Sequence, residues 1–364
     1  MSNLSTRLYR GEAGVNVIGR RMTWFAIAGV ALVIALLSIG IKQFHLGVDF
    51  EGGNTFKVPA SVGTIDVVGK AFDDAGAKVS YKQRVVNVSK GASYDITTAL
   101  VSPDEATKIR NTVAAKFHID PTLIDKQTIG KAWGNQILNK SLQGLIVFLI
   151  VVMIYLVLRF EWRMAVSAIA SLLLNLILTA GIYSLIGFEV SPSTVIGFLT
   201  ILGFALYDVV VVFDKIQENT RGITASGTQT YAGAANLAVN QTIMRSINTG
   251  LVALLPVGGL LFIGAGLLKA GTLKDLSLVL FVGMFIAVVS SIFIAAPVLV
   301  ELKNREPRIL AHNNRVGSRK AAAAAKPAVK SADGATTLSA PVTPKAGARP
   351  ANKGRRPGGP GKRR

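Results

Sequence analysis

The chain has 364 residues, 50% of them hydrophobic and only 16% charged, with 40 Lys and Arg against 20 Asp and Glu and a formal net charge of +20. Soluble globular chains carry about 25% charged residues, whereas here the apolar residues gather into six nearly charge-free stretches, each long enough for a hydrocarbon core of about 30 Å. These features exclude a soluble globular enzyme, a disordered regulator and a coiled coil, and the absence of cysteine excludes disulfides, thiolate metal sites and cysteine nucleophiles.

Three histidines, at 45, 118 and 312, are too scattered to suggest a zinc site. The basic excess is mostly terminal: residues 301–364 hold 16 Lys and Arg against 3 Asp and Glu. It is the property of a tail, not of a basic folded domain.

In chain order, residues 1–22 carry Arg7, Arg10, Arg20 and Arg21 and are predicted to be cytoplasmic by the positive-inside rule. Thr23–Ile41 is the first predicted span. No small-residue cleavage site follows it, so it reads as an uncleaved anchor. Residues 42–141 form the one large segment outside the apolar stretches. Asn54–Pro59 reads as a strand, Ile65–Ala75 as a helix closed by Gly76, and Lys78–Val88 as an alternating strand. Ser89-Lys90-Gly91 is a turn signal and Ser93–Val101 the return strand. Ser102-Pro103-Asp104-Glu105 starts a second helix, with Ser102 as cap, Pro103 at the first helical position and Glu105 bonding back. Leu123–Ile129 supplies a last strand. This order predicts a small ferredoxin-like α+β domain on the extracytoplasmic side, between spans one and two. It contains no catalytic constellation.

Five further spans are predicted within residues 142–300, at Leu142–Leu158, Ala165–Ile186, Ser193–Phe213, Ile247–Leu268 and Ser277–Val300. Arg159, Arg163, Lys215, Arg221 and Arg245 then fall on the side of the N-terminus, while Lys269 and Lys274 run against the rule. The predicted fold is a polytopic α-helical membrane protein with six transmembrane helices and both termini cytoplasmic. Pro256 is expected to kink span five. Gly197, Gly203, Ala205, Gly258, Gly259, Gly264, Gly266, Gly283, Ser290 and Ser291 mark faces for close helix approach. Asn175, Asn248 and Thr249 are placed to hydrogen-bond between helices or to line a wet path. Residues 311–364, rich in Ala, Lys, Pro, Gly and Arg, are expected to be disordered and drawn to anionic lipid. They hold no aromatic residue to stack on bases, and no specific nucleic-acid partner is expected, contact with ribosomal RNA or an acidic partner being the lesser alternative.

The chemistry concentrates in span four. Asp208 lies among Ala205-Leu206-Tyr207 and Val209-Val210-Val211-Val212, about 9 Å deeper than Asp214 at ~1.5 Å rise per residue. An ionised carboxylate at such a depth costs at least about 2.5 kcal/mol. It needs a cation, water or a proton, so its position suits the taking and releasing of a proton. The nearest available cation in an antiparallel neighbour is Arg245, which is expected to pair with it. Asp214, beside Lys215 and Glu218, reads as a solvated helix end. It is turned about 240° from Asp208 on a helix of ~100° per residue, so the two form no acid–base dyad. Asp49, Gly52 and Gly53 read as a tight bend leading from span one into the first strand. No phosphate loop, nucleophile triad, metal motif or cofactor motif is present, and the chain is not expected to be an enzyme.

Three segments carry a family resemblance: Val48-Asp49-Phe50-Glu51-Gly52-Gly53 after span one, Ala205 to Asn219 closing span four, and Gln241 to Gly250 opening span five. With six spans and one large first loop, about residues 14–305 resemble the SecF family of bacterial protein-export membrane subunits. The resemblance implies a subunit that pairs with SecD in an RND-type transporter of the inner membrane. Such a pair assists the SecYEG channel and, indirectly, SecA, drawing unfolded polypeptide outward with the proton gradient. Asp208 matches the family's intramembrane aspartate and Arg245 its arginine, both implicated in proton passage. Tyr207 stands where the family usually has Asn, and Lys215 and Gln217 replace two Arg. Two other readings stay open: an RND-type half-transporter for lipid or small solute, and a passive assembly subunit in which Asp208 only packs.

Overall fold

The computed structural model describes residues 14–87, 91–225, 227–267 and 271–324. Arg7, Arg10, the Ser89-Lys90 turn, Lys269 and residues 325–364 lie outside the described residues. The chain is a multi-pass membrane protein, with six described helical segments long and apolar enough to cross a membrane.

The first is α1 (Arg21–Lys42). After it come the short β1 (His45–Leu46), a single-turn α2 (Val48–Glu51) and β2 (Gly53–Pro59). Then follow α3 (Ile65–Asp74), β3 (Val79–Asn87), β4 (Gly91–Thr98), α4 (Pro103–Lys116) and β5 (Asp125–Ile129). Strands β2 to β5 form one sheet in the order β3-β4-β2-β5, antiparallel at every pairing. Phe56 and Val58, two apart and therefore on one face of β2, join Ile96 in a core with Val68 and Phe72 from α3 and Ile109 and Val113 from α4. The α4 start is the predicted capping box: Glu105 N donates to Ser102 Oγ at 3.2 Å and Ser102 N donates to Glu105 Oε2 at 3.1 Å. Two orphan donors of the first turn are thereby satisfied.

The bundle continues through α5 (Lys131–Arg159), α6 (Trp162–Ile186), β6 (Glu189–Val190) and α7 (Pro192–Thr220). It closes with α8 (Tyr231–Gly258), α9 (Gly271–Ser290), α10 (Ala296–Asn304) and α11 (Pro307–Ala324). Two π-helical stretches interrupt it, Gly259–Leu267 after α8 and Ser291–Ala295 between α9 and α10. The break expected at Pro256 takes this form: the helix runs through the proline and changes winding at Gly259.

Two helices are longer than their apolar stretches. Helix α5 begins at Lys131 rather than near Leu142, because Gly134 lets its first turns press against α2. A Cβ there would lie 2.9 Å from the Phe50 carbonyl carbon. Helix α8 begins at Tyr231 rather than near Ile247, with Ala234, Ala235, Ala238 and Val239 buried along its added turns. Hydropathy marks only the part of a helix that meets lipid.

The tail also differs from expectation. Residues 307–324 are helical, not disordered, and Ile309, His312 and Val316 bury one stripe of α11. His312 Nε2 lies 3.0 Å from the Gln229 carbonyl, and Tyr231 N donates to Asn313 Oδ1 at 3.0 Å. Three apolar or half-polar residues at helical spacing are enough to hold an otherwise charged segment. Arg163 pairs with Glu306 at 2.6 Å, and Lys303 pairs with Glu161 and Glu306, tying the start of α6 to α10 and α11.

Small residues set the helix spacing at only some of the predicted points. Gly197 faces Val279 and Gly283 faces Ile201, so α7 and α9 meet closely, whereas Gly203, Gly259 and Gly264 face open space. A contact not foreseen joins α1 to α6 at Gly181, where a Cβ would lie 2.6 Å from Ala35 Cα. Backbone cannot yield there as a side chain can. Gly181→Val is expected to lower stability by about 1–3 kcal/mol through overpacking. The readout is the thermal melting midpoint in detergent, where an unchanged midpoint would show that α1 is free to move aside.

Candidate functional site

Asp208 is 2% exposed, on the face of α7 that packs against α8 and the π-helical turn after α9. Ser246 Oγ of α8 donates to Asp208 Oδ1 at 2.7 Å, and Ser291 Oγ donates to Oδ2. Ser291 opens the π-helical turn. Pro297, six residues on, has no N–H to offer the carbonyl of Phe293, so the α ladder cannot close across this stretch. Next to it Ser290 and Ser171 of α6 lie 2.8 Å apart, Oγ to Oγ, and Ser167 Oγ donates to the Ala295 carbonyl at 2.7 Å.

The expected ion pair with Arg245 is not formed. Among the described residues Asp208 has hydrogen bonds from two serines and no salt bridge. Arg245 is exposed, and its Nη2 reaches the Tyr207 hydroxyl at 3.5 Å. The reason is rotation: Ser246 faces the carboxylate, and its chain neighbour is turned ~100° away. Tyr207, Arg245 and Asn248 together make a polar, charged strip exposed on the bundle surface, while Thr249 is half-buried. Asp214 pairs with Arg159 at 3.3 Å. Both are well exposed, and such a pair contributes at most about 1 kcal/mol.

Two hydroxyls around a carboxylate have a chemical consequence that an arginine lacks. A serine hydroxyl donates to an ionised carboxylate and accepts from a protonated one. Both protonation states of Asp208 therefore keep their hydrogen bonds without a change of partner.

A second cluster forms at the end of the bundle next to the α+β domain. Strand β1 pairs in parallel with β6, His45 opposite Glu189, and Gly47 N donates to the Val190 carbonyl at 2.9 Å. The Asp49 motif makes the joint. Gly52 sits at φ 78°, a conformation that side chains resist, and a Cβ there would lie 2.9 Å from Lys131 Cα. Burial pushes Glu189 up to about 7, helped by the nearby charges of Asp275 and Asp49. Burial also raises Asp49 above the usual carboxylate range.

Sequence reasoning placed Asp208 but missed Ser246 and the role of Ser291, which it read as a packing residue. It also missed the meeting of Glu189, Asp275 and Asp49. The available signal for Ser246 was its place beside Arg245 in a motif-bearing segment.

The family model for the C-terminal part of the protein export membrane proteins SecD and SecF matches residues 108–305, more than half of the chain. The chain belongs to the SecD/SecF protein export family. The protein translocase subunit SecF of Streptomyces coelicolor is 41% identical over 326 residues, covering 90% of this chain and 87% of that protein. The SecF of Mycobacterium leprae is 43% identical over 329 residues, covering 86% and 70% respectively. Among solved structures, SecDF from Thermus thermophilus, a translocon-associated membrane protein, superposes with a TM-score of 0.68 at 26% identity, covering 83% of this chain. This chain spans 42% of that one. Asp208, Arg245, Ser246 and Ser291 all fall inside the part matched by the SecD/SecF model.

The Glu189 shift has a measurable sign. The folded protein holds this proton more tightly than the unfolded chain. Its stabilising contribution is thus complete below the ordinary value of 4.5 and is lost as pH rises through about 7. Glu189→Gln should remove that component, melting with the unaltered protein at low pH and above it beyond pH ~7. Parallel melting curves across this range would refute the buried-acid reading.

Proposed function

We propose that this chain is the SecF-like half of a proton-driven export device in the bacterial inner membrane. With a SecD-like subunit it would promote late steps of translocation through SecYEG, after SecA, by acting on the emerging unfolded polypeptide. Asp208 is the proton-carrying residue, and Arg245 acts from the neighbouring surface. The chain makes and breaks no bond apart from protonation, uses no cofactor and is not an enzyme in the ordinary sense.

One observation carries this reading. A carboxylate sits buried in a spanning helix and, among the described residues, its hydrogen-bond partners are serine hydroxyls alone. A purely structural acid in apolar surroundings would be expected to keep a fixed counter-charge. The exposed strip of Tyr207, Arg245 and Asn248 supports a second half. A guanidinium at this depth on a lipid-facing surface is costly, and a partner helix bundle would cover it. The solved SecDF chain is more than twice as long as its matched part, which is the room a second half needs.

The strand order β3-β4-β2-β5 around two helices supports a ferredoxin-like module between the first two spans. In this reading it lies on the extracytoplasmic side, where it meets the emerging chain and shifts as Asp208 changes charge. Both termini are then cytoplasmic, and the basic tail is held near anionic lipid and not on nucleic acid.

The test is export of a secreted reporter in cells whose only copy carries Asp208→Asn, with membrane abundance measured alongside. Export should fall to the level of a deletion at normal abundance, while Asp214→Asn exports normally. Normal export by Asp208→Asn would overturn the mechanism and favour an assembly subunit.

A further inference from the structure

Helix α6 carries a polar residue at every fourth position through its length: Ser167, Ser171, Asn175, Thr179 and Tyr183. All five are buried. Four of them have partners. Ser167 donates to the Ala295 carbonyl, Ser171 meets Ser290, Thr179 donates to the Asn175 carbonyl, and Tyr183 donates to the Asp275 carbonyl. Asn175, 1% exposed, is the exception: among the described residues neither its Nδ2 nor its Oδ1 has a partner. A buried amide left with both ends unpaired costs about 1–3 kcal/mol per group. Buried polar atoms are normally paired, and those that protein groups leave unpaired are the ones that ordered water serves.

The two halves of this line are chemically distinct. On one side of Asn175, Ser171 touches Ser290, whose chain neighbour Ser291 holds the Asp208 carboxylate. On the other, Tyr183 borders a cavity of about 90 Å³, whose lining includes Glu189, Lys274 and Asp275. That is room for several waters. Successive members of the line are separated by about 6 Å of helix rise. A direct hydrogen bond spans about 3 Å, and one bridging water spans about twice that. The spacing therefore suits alternation of side chain and water.

The geometry points to Asn175 as a water-holding site on the route by which protons reach Asp208 from the end of the bundle bearing Glu189 and Asp275. This inference rests on the proton-carrying reading of Asp208 and adds to it an entrance, a side and a residue. Asn175 is a positioning residue here. Its amide donates to one water and accepts from another, and the proton passes along the water and hydroxyl oxygens, each giving up one proton as it takes another.

The experiment uses the full chain co-purified with its SecD-like partner, reconstituted in vesicles that enclose a pH-sensitive dye. An acid pulse is applied to the face bearing the α+β domain. Asn175→Leu fills the position without polar atoms. It should reduce Asp208-dependent proton entry at least about tenfold, less than the roughly 10²–10⁴-fold of a group that itself transfers the proton, because Asn175 only positions water. Asn175→Ser, which can still hold a water, should recover most of the flux. Melting midpoints separate this from damage to the fold: Asn175→Leu removes an unpaired buried amide and should melt no lower than the unaltered protein. Should it fail to accumulate, Ser171→Ala, which adds no volume, carries the same expectation. Two outcomes overturn different claims. If Asp208→Asn conducts like the unaltered protein, or if no flux is seen at all, the proton-carrying reading falls. If Asp208→Asn abolishes flux while both Asn175→Leu and Ser171→Ala conduct normally, Asp208 stands and the route along α6 is wrong.

Discussion

A carboxylate placed inside an apolar helix bundle has to bring its own solvation with it, and the packing around Asp208 follows from that requirement. Its two oxygens are met by hydroxyls from two other segments, Ser246 of α8 and Ser291 of the π-helical turn. Three chain segments must then approach within hydrogen-bond length at one depth. Small residues on either side allow it. Gly197 and Gly283 let α7 and α9 close up, and Gly250, one turn from Ser246, accepts Val288, which would lie 2.8 Å from a Cβ there. The glycines thus serve the carboxylate by permitting the approach that its hydrogen bonds require.

Hydroxyl solvation differs in kind from ion pairing. An arginine bonded to Asp208 would hold it in one charge state. Two serines leave both states bonded, because each hydroxyl can reverse its role. Arg245 stands one residue away from Ser246 on the outer face of α8, near Tyr207. Its charge acts on the carboxylate from the bundle surface without a bond to it.

The joint between bundle and α+β domain is built on the same economy of small residues and buried acids. Gly52 turns the chain against Lys131, and Gly134 admits the Phe50 backbone. The two-stranded pairing of β1 with β6 ties the end of α6 to the chain leaving α1. Glu189 is thereby held close enough to Asp49 and Asp275 for their charges to matter.

Local properties were legible in the sequence itself. Six apolar stretches, the position of Asp208 within one of them, the Ser102–Glu105 cap and the strand–helix order of residues 42–141 depend on composition and on neighbours a few residues away. Those rules operate within a single element. What the tertiary structure alone decided depends on rotation and crossing. Arg245 and Ser246 differ by one position, and ~100° of helix turn sends one outward and the other onto Asp208. The extra turns of α5 and α8, and the packed helix at residues 307–324, were hidden because their buried apolar residues are few and spread among polar ones: Gly134 in α5, three alanines and Val239 in α8, and Ile309 and Val316 in α11. The meeting of Glu189, Asp275 and Asp49 joins β6, the start of α9 and the one-turn α2. No local pattern encodes such a contact, since it exists only once the helices that carry those residues have packed.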